Sequence, residues 1–132
     1  MDLGIVSGTY VMTEHWEVVL PGMFRKSFED EDLVLTRTET EIRVGIWGND
    51  QGATTDERAR WFAEEAGSSR LDPVTERDGE LLRVGWFTLE EGERVFEGFV
   101  LDDSGHVHVI GSSDDDDVLL AFLRGIRHHQ GH

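Results

Sequence analysis

Between Leu81 and Ile110 three apolar-rich runs, Leu81–Leu89, Arg94–Leu101 and His106–Ile110, are separated by two short segments that each close in glycine, Glu90-Glu91-Gly92 and Asp102-Asp103-Ser104-Gly105. Few backbone paths fit that spacing. Glycine adopts positive φ at little steric cost, and short hairpin loops demand it, so the pattern predicts an antiparallel meander. Both alternating sets of the first two runs contain apolar residues: Leu82, Val84 and Trp86 against Leu81, Phe87 and Leu89, then Val95 and Phe99 against Phe96 and Val100. A strand that is apolar on both sides must be covered on both sides.

Upstream, His15–Leu20 alternates so that Trp16, Val18 and Leu20 share one side before Pro21 and Gly22 break the pattern. Leu33–Thr38 and Glu41–Trp47 are rich in Val, Ile, Leu and Thr with only Glu39 and Thr40 between them, which predicts a hairpin with Ile42, Val44 and Ile46 facing inward. A turn-rich break over Asn49–Ala53 leads to Thr54 and Glu57, a capping box that opens a helix ended by Gly67, with Ala59, Phe62, Ala63 and Ala66 as its buried stripe. Ser68–Gly79 reads as an irregular connection. A closing helix follows, with Ser113 as N-cap, Asp114–Asp117 at its positive end, and Arg124, Arg127, His128 and His129 toward its negative end. Its apolar face is Leu119, Phe122, Leu123 and Ile126. The 132 residues make one domain, residues 1–132, of α+β class: a single twisted antiparallel sheet with both helices packed on one face.

The segment Val18-Val19-Leu20-Pro21-Gly22, the meander, and the Ile110–Ser113 passage into the last helix resemble the Mog1/PsbP-like fold family, which includes the bacterial DcrB-like domains. That resemblance spans most of the chain and implies interaction with other proteins rather than a shared catalytic site.

Charge narrows the function classes. Against 28 Asp and Glu stand 12 Lys and Arg, a formal net charge of −16, and the acids are spread along the chain. Such a field repels nucleic acid and anionic lipid and attracts basic surfaces. Cysteine is absent, which removes disulfides, thiolate metal sites and a cysteine nucleophile, and fits a cytoplasmic setting. The opening MDLGIVSGTYVM has no basic start or sustained apolar run, so neither a signal peptide nor a membrane span is expected.

Chemistry-bearing motifs are sparse. Consecutive Asp114–Asp117 lack the spaced ligands and central glycine of a calcium loop and read as helix-start charges. Asp102-Asp103-Ser104-Gly105 has the composition of a tight turn. His106 and His108 alternate on one strand and project to one side, where His15, Glu97 or Glu17 would be needed to complete a metal site; two solvated imidazoles are the plainer reading. His128, His129 and His132 read as a frayed end. No Gly-x-Ser-x-Gly elbow or phosphate loop occurs. No cofactor, metal or catalytic residue is expected.

The aromatic residues beside strand glycines remain: Trp47 near Gly45, Trp86 near Gly85, and Phe96 near Gly98. If the second apolar set of the sheet meets a partner or a second copy of the chain, these rings are its anchors. The reading is then a non-enzymatic inhibitor, such as an immunity protein that neutralises a basic bacterial toxin. Trp47, Trp86 and Phe96 serve as anchors, and Glu90, Glu91, Glu93, Asp102 and Asp103 as the charged rim. The alternatives are a secretion or assembly chaperone of the DcrB-like kind, and a small enzyme or ligand-binding protein with a pocket lined by His15, His106 and His108.

Overall fold

Glu91 and Gly92 both take positive φ, 52° and 84°, and this pair reverses the chain in the two-residue turn that right-twisted hairpins favour. Strands β8 (Leu81–Glu90) and β9 (Glu93–Asp102) leave it in unbroken antiparallel register from Glu90 opposite Glu93 to Leu82 opposite Leu101, and β10 (Gly105–Ser113) completes the expected meander. The computed structural model describes residues 2–49 and 52–129, so residues 50 and 51 of the expected break and His132 of the expected terminal cluster lie outside it. Before the meander come β1 (Asp2–Val6), β2 (Thr9–Val11), β3 (Trp16–Val19), β4 (Phe24–Glu29), β5 (Asp32–Arg37), β6 (Thr40–Gly48), α1 (Thr55–Ala66) and β7 (Leu71–Asp78). After it come α2 (Asp116–Gly125) and β11 (Ile126–His128).

These strands form an eight-stranded antiparallel sheet in the order β1-β4-β5-β6-β10-β9-β8-β7 and a separate three-stranded sheet in the order β11-β3-β2. With 58% of the described residues in strands and 20% helical, the protein is mostly β. The expected α+β arrangement, a single sheet carrying both helices on one face, is therefore overturned. Part of the surplus is strand that draws its order from backbone pairing rather than from an apolar pattern of its own. β7 is the clearest case. It is exposed along most of its length and contains Pro73, yet it pairs with β8 as an edge strand, where a residue without an N–H is tolerated. The register shifts between Leu71 and Val74, with Asp72 at φ 48°, so the proline sits in an irregularity of the ladder.

The chain groups into two compact units, Met1–Arg43 with Gly111–His132, and Val44–Ile110, the division falling within β6 and β10. In Val44–Ile110, Ala59, Phe62, Ala63 and Ala66 of α1 pack on Leu82, Val84, Trp86, Phe99 and Leu101. The capping box forms: the Thr54 hydroxyl accepts from the Glu57 N–H at 3.1 Å and donates to the Glu57 carboxylate at 3.2 Å. Ile46, expected to point inward with Ile42 and Val44, is instead 37% exposed, in the stretch where β6 turns exposed toward its end.

In the other unit, α2 buries Leu119, Phe122 and Leu123 and packs near β3, whose Trp16 and Val18 are buried. Its N-cap is Asp115, which accepts from the Asp117 N–H at 3.0 Å, rather than Ser113. Ser113 instead shares a 2.8 Å hydroxyl bond with Thr40. The helix ends at Gly125, where a Cβ would meet the Val19 backbone, and Ile126–His128 turn extended to pair with β3. Arg127 and His128 thus belong to a strand and not to a helix end.

Candidate functional site

The structure separates the expected partner-binding residues into three groups. Trp47, at the end of β6, is 60% exposed. Trp86 and Phe96 are only 2% and 0% exposed, which corrects their assignment as surface anchors. Trp86 lies under α1 with its ring 5.8 Å from the Phe99 ring. Phe96 fills the space that Gly85 leaves open, where a Cβ would sit 2.8 Å from its ring, and packs against Phe87 at 5.1 Å. Leu81, Phe87 and Val100 of the second apolar set are also buried, whereas Leu89 is 62% exposed. Among the acids, Glu90, Glu91, Glu93 and Asp103 are exposed. Asp102 is buried and is corrected from rim to turn residue: its carboxylate accepts from Ser104 N (2.9 Å), Ser104 Oγ (2.8 Å) and Gly105 N (3.0 Å).

Trp47 lines an open cleft of about 410 Å³ in the unit Val44–Ile110, together with Phe62 and Glu65 of α1, Glu97 and Phe99 of β9, and His106 and His108 of β10. The period-2 spacing of strands puts Glu97 with Phe99, and His106 with His108, on one side of the sheet. Three rings stack in a ladder: Phe62 on Phe99 at 4.1 Å and 3°, then Phe99 on His108 at 4.6 Å and 16°. His106 tilts onto Phe62 at 4.9 Å. His108 Nε2 is bonded to Glu97 Oε2 at 2.8 Å, which fixes both at the cleft wall.

Beneath this wall sits Arg58, which reading the sequence missed. Its guanidinium is buried and donates from Nη1 and Nη2 to the carbonyl oxygens of Asp102 and Gly105, at 2.5 and 2.6 Å, tying α1 to the β9–β10 turn. The one signal available was an arginine four residues before Phe62, within the apolar stripe. Burial, then the Arg58 charge, then His108, depress the His106 pKa to about 4, so its ring is neutral at pH 7. Its Nδ1 is buried and has no hydrogen-bond partner among the described residues.

That depression has a pH signature. Above pH 6.5 His106 is neutral in both the folded and unfolded chains. As pH falls from 6.5 toward 4 the unfolded chain takes up the proton first, so stability falls through that window, by about 2 kcal/mol after discounting for the ring's partial exposure. The stability difference between the protein and His106→Gln, measured by urea unfolding, is expected to shift by this amount in favour of the variant between pH 7 and pH 4.5. A difference independent of pH would remove His106 from the account.

Among the described residues, His106 and His108 form no ligand group with a third His, Asp or Glu: Glu97 is bonded to His108, but the three do not converge. His15 belongs to the other unit, against the rings of Trp16 (5.1 Å) and His128 (4.7 Å). The carboxylate of Glu17 binds His129 Nδ1 at 2.8 Å and Arg127 Nε at 2.6 Å, and these partners, His129 first, hold its pKa below the usual carboxylate value. His128 and His129 are thus tied in rather than frayed. No known protein family matches this chain, and no curated protein does so either.

Proposed function

We propose that this protein is a non-enzymatic protein-binding module, an acidic inhibitor of the immunity-protein kind, that holds a basic partner such as a toxin domain through the Trp47 cleft. The observation that supports this is an exposed indole lining a cleft whose other walls are aromatic rings and two carboxylates, Glu65 and Glu97. Such a lining suits a cationic side chain, which gains from ring faces and from charge together. The net charge of −16 speeds encounter with a basic surface, and exposed Glu90, Glu91, Glu93 and Asp103 add to that field.

The test begins with co-purification from the native cell, followed by association kinetics with the recovered protein. A basic protein is expected, with a rate constant that falls about tenfold or more between low and high salt. Trp47→Ala is expected to weaken binding about 30-fold, the cost of losing a hot-spot aromatic, while leaving stability within about 0.5 kcal/mol because the side chain is mostly exposed. Recovery of an apolar client with salt-insensitive binding would favour the DcrB-like chaperone reading, and recovery of only metabolites or metal would overturn the inhibitor reading.

A further inference from the structure

In a chain with 28 acidic residues and 12 basic ones, one cleft of about 410 Å³ is lined by two arginines and by no Asp or Glu among the described residues. It lies in the unit Met1–Arg43 with Gly111–His132, where Ile5, Met23, Phe24, Arg25, Thr36 and Arg37 form most of its walls. Ile5, Arg25 and Thr36 sit opposite one another across β1, β4 and β5, so the row presents an apolar side chain, a cation and a hydroxyl side by side.

Arg37 is held in place three ways. Its Nη1 donates to the Pro21 carbonyl at 3.2 Å, and its guanidinium carbon lies 4.9 Å from the centre of the Phe24 ring. Gly22 leaves room for it, since a Cβ there would fall 2.5 Å from Nη1. A guanidinium has five N–H donors in a rigid fork, so one bond to a carbonyl leaves the fork with donors for an anion. Ile5 and Met23, 63% and 62% exposed, supply apolar surface on the same cleft. Exposed side chains of that kind, next to a fixed cation in an acidic protein, match a ligand with an apolar body and an anionic head.

We propose that this cleft binds a small amphiphilic carboxylate, with the carboxylate on Arg37 and the apolar body along Ile5 and Met23. The site is separate from the Trp47 cleft and does not depend on the inhibitor reading. The net negative charge of the chain disfavours every anion at long range, so an apolar contribution is needed and a bare anion does not suffice.

The experiment uses the full chain with ¹³C-methyl-labelled methionine, whose three methionines include Met12 and Met23. Octanoate is titrated against octylammonium and octanol, which share the alkyl chain and differ in the head group. The Met23 methyl signal is expected to move saturably with octanoate while Met12 stays put, and at least tenfold higher concentrations of octylammonium or octanol are expected for the same movement. Arg37→Gln is expected to weaken octanoate about tenfold, with the Met12 signal reporting that the fold is intact. Equal response to all three probes, or octanoate binding unchanged in Arg37→Gln, would overturn the proposal; should that variant fail to fold, the three-probe comparison on the unaltered chain still decides it.

Discussion

Arg58→Ala is expected to cost about 3–5 kcal/mol of stability in urea unfolding. The guanidinium makes two short bonds to the carbonyl oxygens of Asp102 and Gly105, and hydrogen bonds to a charged group contribute about 1.5–3 kcal/mol each. Truncation also strands the two carbonyl oxygens of Asp102 and Gly105, the buried residues that flank the exposed turn, and that desolvation is not recovered. Burial depresses the pKa of Arg58, as it must for a cation removed from water, while the Asp102 and Asp103 charges oppose that shift. Arg58→Lys is expected to recover less than half of the loss, since an ammonium cannot fork to two carbonyls. A second readout separates this role from simple packing: with the Arg58 charge gone, the His106 pKa, followed by NMR titration, is expected to rise. A cost below about 1 kcal/mol for Arg58→Ala would show that the turn does not rely on it.

Gly105→Ala is expected to destabilise by about 3 kcal/mol or more. A Cβ at that position would run into the Trp47 carbonyl oxygen and lie 3.0 Å from the Gly48 Cα, and neither is a side chain that can swing away. Relief requires β6 to move from β10 where Trp47 leaves the sheet. The variant is therefore also expected to shift the Trp47 fluorescence, and to weaken any partner held at that cleft. Gly92→Ala is the internal comparison: a Cβ there meets nothing within 4 Å, so only the strain of φ 84° remains, about 1 kcal/mol. Equal costs for the two substitutions would show that close approach at Gly105 is unimportant.

The two glycines mark where sequence reasoning holds and where it stops. Both stood out as turn residues able to take positive φ. Gly92 does so, but Gly105 is needed because a neighbouring strand passes too close for any side chain, and that neighbour is 58 positions away in the chain at Trp47. Helix α1 was legible for the same reason as Gly92, because a capping box and an apolar stripe are completed within a few residues. His106 and His108 were legible as a pair on one side of a strand, whereas their setting against Phe62, Phe99 and Glu97 was not. Trp86 and Phe96 show the limit most plainly, since apolar character on both sides of a strand is compatible with an exposed recognition face or with burial on both sides. The covering decided it, and both rings are inside.

Local chemistry was therefore legible along the chain: the meander with its Glu91-Gly92 turn, the Thr54 cap, the amphipathic faces of α1 and α2, and the acidic field. Folding alone set the second sheet, the edge strand through Pro73, the burial of Trp86, Phe96 and Asp102, and the clefts at Trp47 and Arg37. The division has one physical cause. Turns and caps are satisfied by groups three or four residues apart, while strands without an apolar pattern, buried polar groups and clefts acquire their character from partners that the chain brings close only by folding.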